Sequence, residues 1–300
     1  MSNKTNAIFI FESKSVVLFF IFLTFSLASA QILKRPIPDK LVVLTFDDAP
    51  VSHYSIVAPL LKKHDFKATF FVCEFPPNFS DNSKYMNWAQ IKKLDKMGFE
   101  IGNHTQSHKH VNKLSKENFI QQLQYIEIGN HTQSHKHVNK LSKENFIQQL
   151  QYIENKCDSL KIKKPLTFAY PGYDYSLNAI TTLQEQSYIL ARAGGSRAYN
   201  PLEDNPFLIP SWATNANNKE EIMAAFQEAK NGKIVVLTIH GVPDIEHPWV
   251  NTPAELFKEY LDYLAKNNFK VIALKDLNKY INFKKAAKTI AIDTSKKYKN

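Results

Sequence analysis

Carboxylate and imidazole side chains stand at the ends of apolar segments along this 300-residue chain. Asp47 and Asp48 follow the run LVVLTF, and His240 follows IVVLTI. His104 and His108 form an H-x-x-x-H pair after the short run FEIG. Two neutral imidazoles and one carboxylate are a common ligand set for a divalent metal, and three protein ligands leave coordination positions open for water and substrate. The pattern therefore predicts a catalytic rather than a structural metal.

The elements that must position these side chains are short apolar runs alternating with amphipathic stretches. The predicted strands cover residues 40–46, 67–72, 99–101, 166–169, 207–209, 233–239 and 269–274. The predicted helices cover residues 55–64 (with Ser55 as N-cap), 88–97, 176–186, 220–230 and 253–267. This alternation favours parallel strands joined by helical crossovers and covered on both faces. Because the C-terminal ends of parallel barrel strands converge on one face, we expect the acidic and imidazole side chains to meet there.

A perfect internal repeat interrupts this order. Residues 100–126 and 127–153 carry the same 27-residue sequence, EIGNHTQSHKHVNKLSKENFIQQLQYI. Solenoid proteins need at least three repeats, which two copies do not supply. We therefore expect one fold to use one copy and to accommodate the other as an insertion.

The repeat leaves two candidate sources for the metal-binding histidines. His131 and His135 of the second copy duplicate His104 and His108 of the first. The first copy is favoured because Gly98, a good helix stop, lies directly before it. The second copy remains an alternative because it continues directly into the rest of the chain.

The N-terminal segment resembles a secretory signal peptide. A polar lead is followed by an apolar run over residues 16–27 and by Ala-Ser-Ala before Gln31, which fits cleavage after residue 30. No second run of membrane length follows, so no stable membrane span is expected after cleavage. We expect a secreted, periplasmic or cell-envelope protein.

Composition adds few constraints. The formal net charge is +10, which favours an anionic polymer or cell wall as surroundings but carries no sign of nucleic-acid binding. Cys73 and Cys157 are too few for a disulfide framework, so two buried free thiols are expected. The Lys-rich stretch 284–300 is interpreted as a solvated tail.

Three motifs resemble those of the polysaccharide deacetylases, the NodB-like carbohydrate esterases of family four. They are TFDDA at 45–49, HTQSH at 104–108 and LTIH at 237–240, and the resemblance covers residues 41–277. It implies one domain over residues 31–283, folded as a distorted (β/α) barrel of about seven parallel strands. It also implies hydrolysis of N- or O-acetyl groups on an acetylated polysaccharide such as a chitin-like polymer, peptidoglycan or xylan.

The resemblance also implies roles for individual residues. Asp47 corresponds to the catalytic base, Asp48, His104 and His108 to the metal ligands, and His240 to the general acid. A Zn²⁺ ion is expected in the site, and Co²⁺ or Mn²⁺ would also suit these ligands. The base would accept a proton from the attacking water, and the acid would protonate the leaving amine or alcohol.

The third family motif departs from its usual form. The segment FAYPGY has Ala169 where the family usually has an arginine that orients the base. We hypothesise that Arg192 supplies the guanidinium instead. Pro171, Gly172 and Tyr173 are expected to border the substrate, with a backbone N–H near Gly172 as the oxyanion donor.

The fourth family motif, D-x-x-x-W, is absent. Trp212 has no aspartate four residues before it, so the partner that orients His240 is not evident from the sequence. Trp212 is expected either to line the substrate pocket or to lie in the core. By resemblance, Leu237 is expected to form part of the acetyl pocket.

Two rival functions share these residues. A site of two histidines and one carboxylate also occurs in non-haem iron oxygenases, but those have β-rich scaffolds and a carboxylate close to the first histidine. A carbohydrate-binding relative without turnover is the other rival, because two family motifs are altered. The intact base, ligands and acid favour the hydrolase.

Overall fold

The computed structural model describes residues 32–74, 79–108 and 143–293 as a single α/β domain. Its strands are β1 (Leu41–Phe46), β2 (Thr69–Val72), β3 (Glu100–Asn103), β4 (Thr167–Ala169), β5 (Leu190–Arg192), β6 (Trp212–Ala213), β7 (Val235–Ile239) and β8 (Lys270–Ile272). Its helices are α1 (Ala58–Lys63), α2 (Trp88–Lys96), α3 (Lys143–Ser159), α4 (Leu177–Glu185), α5 (Lys219–Phe226), α6 (Ala254–Lys266) and α7 (Phe283–Thr289).

The sheet is parallel and curled. Its strand order is β5-β4-β3-β2-β1-β7-β6, and β8 pairs with the first half of β1. The two ends of this order approach each other, because Arg192 and Ile209 form a parallel bridge and Ala193 N–H donates to the Ile209 carbonyl over 2.7 Å. The prediction of a distorted barrel of about seven parallel strands is confirmed.

The strands bury both of their faces, which explains their continuous apolar sequences. In β1, Val42, Leu44 and Phe46 pack into the core beneath the surrounding helices. Leu41 and Val43 join a second cluster, which gathers side chains from strands across the barrel and fills its interior. Asp47 follows on the inner face of β1 and therefore lies at the C-terminal rim of the barrel.

The first helical segment begins earlier than the sequence predicts. A π-helical turn over His53–Val57 precedes α1, and Ser52 rather than Ser55 occupies the N-cap position. The chain already turns after Pro50, whose carbonyl accepts a hydrogen bond from His53 N–H. Ser55 instead donates its hydroxyl to the Val51 carbonyl over 3.1 Å.

The predicted strand at 207–209 is wrong. Pro206–Leu208 forms a 3₁₀ turn, because Pro206 fixes the first helical position and the Asn205 side chain accepts a hydrogen bond from Phe207 N–H over 3.0 Å. Only Ile209 pairs with the sheet, in the single bridge to β5.

The interpretation of residues 284–300 as a solvated tail is wrong for its first part. Asn282 caps α7, whose Phe283 and Ala286 are buried against the core. The Asn205 amide also donates to the Ile290 carbonyl over 2.7 Å. Residues 294–300 lie outside the described part of the chain, as does the predicted signal segment 1–30.

The predicted helix stop at Gly98 and the two buried free thiols are confirmed. Asn87 and Gln90 form a capping box at the start of α2, and Gly98 follows that helix with φ +90°. Cys73 and Cys157 are buried free thiols. Within the described ranges, no helix is long and apolar enough to cross a membrane.

The described fold combines segments of both repeat copies. Strand β3 and the residues after it come from the first copy, whereas α3 begins in the second. The two segments contact each other, because Asn103 Nδ2 donates to the Leu150 carbonyl over 3.0 Å and Ser107 N–H donates to Gln149 Oε1 over 3.2 Å. Together they supply about one copy of structure. Residues 109–142 between them, which include His131 and His135 of the second copy, lie outside the described residues.

We predict that deleting residues 110–136, which leaves a single copy, preserves the fold. Every residue of β3 and α3 keeps an identical counterpart in the shortened chain. Shortening the connection should stabilise the protein by on the order of 1 kcal/mol, because closing a shorter loop costs less conformational entropy. Urea unfolding measures the difference. Deleting residues 143–169, of the same length but including α3 and β4, should abolish cooperative unfolding, and an equal loss in both variants would contradict the prediction.

Candidate metal centre and active site

A left-handed turn at the end of β1 presents two neighbouring carboxylates to the barrel rim. Asp47 N–H still donates to the Ile239 carbonyl over 2.9 Å, so Asp47 continues the ladder with β7. Asp48 and Ala49 then adopt φ angles of 72° and 56°, which are costly for residues with a Cβ. The turn breaks the strand alternation, and both carboxylates are buried at the same end of the barrel.

Two histidines after β3 converge on one of these carboxylates. His104 Nε2 lies 3.3 Å and His108 Nε2 3.2 Å from Asp48 Oδ1. The candidate ligand atoms of the three residues all lie within 4.8 Å of one another. Thr105 and His108 adopt positive φ angles of 64° and 52°, so a bent loop rather than a helical turn brings the imidazoles together.

The donor set fits a divalent ion. His104 Nδ1 lies 2.8 Å from the Ala169 carbonyl, which can only accept, so Nδ1 carries a proton and Nε2, which faces Asp48, is the nitrogen that binds either a metal or a second proton. Metal-binding histidines typically donate their second ring N–H in this way. Asp48 Oδ1 has no hydrogen bond among the described residues, which leaves it available as a ligand.

The carboxylates and imidazoles of the site shift each other's pKa values. Burial alone would raise the pKa of Asp48, but the imidazoles of His108, His104 and His240 outweigh burial and lower it. Burial lowers the pKa of His108 to about 3, so this imidazole is neutral at pH 7. Burial also acts to lower the pKa of His104, but the carboxylates of Asp47 and Asp48 raise it overall. A metal must therefore compete with a proton on His104.

Arg192 reaches Asp47 from the opposite side of the barrel. Its Nη2 donates to Asp47 Oδ2, and its Nη1 donates to Thr238 Oγ1 over 2.6 Å. The guanidinium is fully buried and lies 5.5 Å from the ring centroids of both Phe71 and Tyr173. Although Ala169 replaces the usual arginine, a guanidinium from β5 contacts the predicted base.

A chain of hydroxyl groups fixes this guanidinium. Ser211 Oγ donates its one hydrogen to the Ala193 carbonyl over 2.6 Å, so Thr238 donates to Ser211 over 2.7 Å and accepts from Arg192. Each hydroxyl is both donor and acceptor, which leaves one orientation for the chain. Neither role was predicted from the sequence, because Ser211 belongs to none of the motifs and Thr238, although inside LTIH, is neither charged nor a metal-binding residue.

His240 faces the same centre from the end of β7. Its Nε2 lies 3.9 Å from Asp48 Oδ2, and its Nδ1 has no hydrogen-bond partner among the described residues. Its backbone carbonyl accepts a hydrogen bond from His53 Nε2 over 2.9 Å. The structure therefore holds the main chain of His240 through His53, which sequence analysis also missed.

His53 is enclosed by aromatic rings and bears no charge at neutral pH. Its ring centroid lies 5.3 Å from that of Phe46 and 5.5 Å from that of Phe70. Burial lowers the pKa of His53 to about 4. The only signal in the sequence was its place five residues after Asp48, in the turn that follows the first motif.

The segment after β4 lies beside this centre. Pro171–Tyr173 forms a 3₁₀ turn in which Gly172 is exposed and adopts φ 59°. Tyr173 packs on Arg192, and burial raises the pKa of its phenol to about 12, so the phenol stays neutral. The structure thus places Tyr173 at the site, with the exposed backbone of Gly172 next to it.

Leu237 and Trp212 point away from the centre. They are register partners on β7 and β6, and both side chains pack into the core beneath the helices. Because side chains alternate along a strand, Thr238 rather than Leu237 shares the face of His240. The expectation that Leu237 forms an acetyl pocket is therefore wrong, and of the two alternatives for Trp212 the structure favours the core.

The sequence profile of the polysaccharide deacetylase family matches residues 34–127 and 124–190, which together cover just over half of the chain. The chain belongs to this family.

Curated relatives match over a shorter stretch. A chitin deacetylase from Colletotrichum lindemuthianum is 33% identical over 86 residues, which are 29% of this chain and 34% of the relative. A peptidoglycan-N-acetylglucosamine deacetylase from Bacillus cereus is 35% identical over 83 residues, which are 27% of this chain and 36% of the relative.

Solved structures support the fold. The chitin deacetylase of Colletotrichum lindemuthianum superposes with a TM-score of 0.53 at 16% identity, over 84% of this chain and 94% of that one. A CE4 family pseudoenzyme from Bacillus anthracis gives a TM-score of 0.51 at 17% identity, over 80% of this chain and 66% of that one. At these identities the likeness establishes the shared fold and not the reaction.

We predict that the first repeat copy supplies the metal ligands. The double substitution His104→Ala and His108→Ala should weaken Zn²⁺ binding more than about 100-fold, because it removes two of three ligands. The matched substitution of His131 and His135 should leave binding unchanged. Metal content after dialysis and titration with a Zn²⁺ indicator measure both. Retained binding in the first variant together with lost binding in the second would assign the site to the other copy.

A second prediction concerns acid stability. The pKa of His53 is about 4 in the folded protein and 6.5 as the reference value, so the folded state resists protonation. Its contribution to stability is complete above pH 6.5 and falls as the pH drops toward 4, by about 3 kcal/mol in all. His53→Gln keeps a side-chain N–H for the His240 carbonyl but does not titrate. Urea unfolding between pH 7 and pH 4 should show a smaller loss for this variant, and parallel curves would contradict the prediction.

Proposed function

We propose that this protein is a metal-dependent hydrolase that removes acetyl groups from an N-acetylated or O-acetylated polysaccharide. The observation that carries the proposal is the position of Asp47, held by the buried Arg192 directly beside the cluster of Asp48, His104 and His108. A base, a metal-binding cluster and an acid at one barrel rim are the parts that metal-assisted amide or ester hydrolysis requires.

The cluster would hold the metal. Asp48, His104 and His108 offer one oxygen and two nitrogen donors, which suits Zn²⁺ and also allows Co²⁺ or Mn²⁺. When bound, the ion supplies Lewis-acid polarisation of the acetyl carbonyl and lowers the pKa of water.

Asp47 is suited to accept the proton of the attacking water. Arg192 occupies its Oδ2, whereas its Oδ1 has no hydrogen bond among the described residues. One carboxylate oxygen is therefore fixed, and the other is available to a reactant. The fixed orientation lowers the entropic cost of proton transfer.

His240 is suited to protonate the leaving group. Its Nε2 lies 3.9 Å from Asp48 Oδ2, and His53 holds its backbone. The exposed N–H of Gly172 is the proposed donor to the oxygen that develops negative charge, beside Tyr173. Base and acid thus flank the proposed position of the acetyl group.

The substrate class and location follow from the relatives and from the N-terminal segment. Relatives named for chitin and for peptidoglycan N-acetylglucosamine support a polymer of N-acetylated sugars. The apolar run before residue 30 supports secretion or residence in the cell envelope. The basic net charge of +10 fits an anionic cell wall.

A carbohydrate-binding relative without turnover is the second candidate. The observation that favours it is Ala169 in the third motif, where the family usually has an arginine. The contact between Arg192 and Asp47 favours the enzyme instead, because it provides the charge that Ala169 cannot.

The deciding experiment is acetate release from N-acetylglucosamine oligomers by the chain lacking residues 1–30. Release should stop with a chelator and return with added Zn²⁺. Asp47→Asn, which keeps the shape of the side chain, should remove at least about 99% of the activity while metal content stays normal. If the metal-loaded protein released no acetate from these oligomers, from peptidoglycan or from acetylated xylan, the binding relative would be the better description.

We predict that Thr238 acts through Arg192. Thr238→Val removes the acceptor for Nη1 without changing the side-chain shape, and should lower kcat roughly 10- to 100-fold through a misplaced base, with little change in KM. Thr238→Ser should restore most of kcat. Arg192→Ala should lower kcat at least as much while Zn²⁺ remains bound. Full activity of Arg192→Ala with normal metal content would refute the role of both residues.

A further inference from the structure

The loop that leaves the barrel at His240 is rigidly built. Asp244 accepts hydrogen bonds from Gly241 N–H over 3.0 Å and from His247 N–H over 2.8 Å. Val242 N–H donates to Ser52 Oγ over 2.9 Å, which attaches the loop to the turn after the two carboxylates. The loop over residues 241–251 is therefore a fixed extension of the active-site rim.

A second contact joins this loop to the other side of the rim. Lys84 Nζ forms an ion pair with Glu246 over 2.9 Å. The neighbouring Tyr85 forms an antiparallel bridge with Pro50, two residues after Asp48. The loop is thus attached both to the turn after the two carboxylates and to the segment of Lys84 and Tyr85.

This rigid loop carries two large apolar side chains that face solvent. Ile245 is 80% exposed and Trp249 is 68% exposed. Only Leu166 and Leu177 join them as exposed large hydrophobic residues in the described part of the chain. Trp249 lies in the short helical turn Pro248–Val250, and its ring contacts that of His247 with centroids 5.3 Å apart. Trp249 is therefore exposed although its backbone and its ring are both held by neighbouring residues.

The side chains of the loop favour a neutral ligand over a charged one. Its acidic side chains are already paired, Glu246 with Lys84 and Asp244 with His247 over 3.3 Å. The remaining surface is an indole ring and an aliphatic side chain, without an unpaired charge to hold a charged ligand. The apolar C–H face of a neutral pyranose ring packs on such a surface, and an amphipathic ligand loses little by leaving its hydroxyl groups in water.

The position of the loop indicates where such a ring would come from. In the proposed reaction His240 protonates a nitrogen or oxygen that stays on the polymer, so the polymer must pass beside His240. The residues that follow His240 form this loop. A sugar unit further along the same polymer would therefore reach Trp249 and Ile245.

We propose that Trp249 and Ile245 form a secondary sugar-binding platform that holds a neutral pyranose unit of the polymer at a distance from the unit being deacetylated. The inference rests on the proposed function for the identity of the polymer. It makes the protein selective for long over short acetylated oligomers, through binding rather than through the chemical step.

Calorimetric binding to the chelator-treated protein tests the platform without any catalysis. The probes are an N-acetylglucosamine disaccharide and a longer oligomer of the same sugar. Trp249→Ala should weaken binding of the long oligomer roughly three- to tenfold, and Trp249→Phe should restore most of it. Ile245→Ser should have a smaller effect in the same direction. Binding of the disaccharide should not change in any variant.

Leu166→Ala is the matched control, because Leu166 is 41% exposed but precedes β4 at the opposite end of the barrel. It should leave both affinities unchanged. Equal affinities of wild type and Trp249→Ala for the long oligomer would overturn the platform, as would an equal loss for both probes. A change of sedimentation coefficient in Trp249→Ala would show instead that the patch joins two copies of the chain. Acetate release is measured separately, so failure of the hydrolase proposal leaves this result readable.

Discussion

The buried ion pair of Asp47 and Arg192 is the interaction on which the centre depends. It joins β1 to β5, which are four places apart in the sheet order, so its two charges reach each other only because the sheet curls. A buried charge that loses its partner costs several kcal/mol, so neither residue can be replaced alone without consequence. Thr238 accepts a hydrogen bond from the guanidinium, and Ser211 in turn fixes the Thr238 hydroxyl. The open rim of the barrel is thus organised around one fixed carboxylate.

A backbone carbonyl orients the imidazole of His104, a role that a carboxylate often has in other metal sites. The Ala169 carbonyl sets the tautomer of His104, and His53 holds the main chain of His240. Ala169 thus contributes its backbone at the very position where its side chain lacks the usual guanidinium. The backbone of the third motif positions His104, and β5 supplies the charge.

The duplicated segment shows how a barrel accommodates additional chain. The contacts between β3 and α3 involve side chains and carbonyls that occur identically in both copies. Local sequence therefore does not distinguish the copies. Lengthening a surface connection costs little free energy, because loop-closure entropy grows only with the logarithm of length. The candidate ligands Asp48, His104 and His108 all precede residues 109–142 in the chain.

The sequence alone predicted six of the eight described strands, their parallel arrangement and the meeting of Asp48, His104 and His108 at the strand ends, with the histidines of the second copy as an alternative. These features depend on periodicity and on the general convergence of parallel strands, which are local or topological properties. The same alternation would have placed Thr238 on the face of His240 and Leu237 beneath the helices. Only the tertiary structure decided the rest, including the helical turn at Pro206–Leu208 and the roles of residues such as His53 and Ser211. Their contacts join segments far apart in the chain, and no local pattern records the distance between two side chains across a barrel.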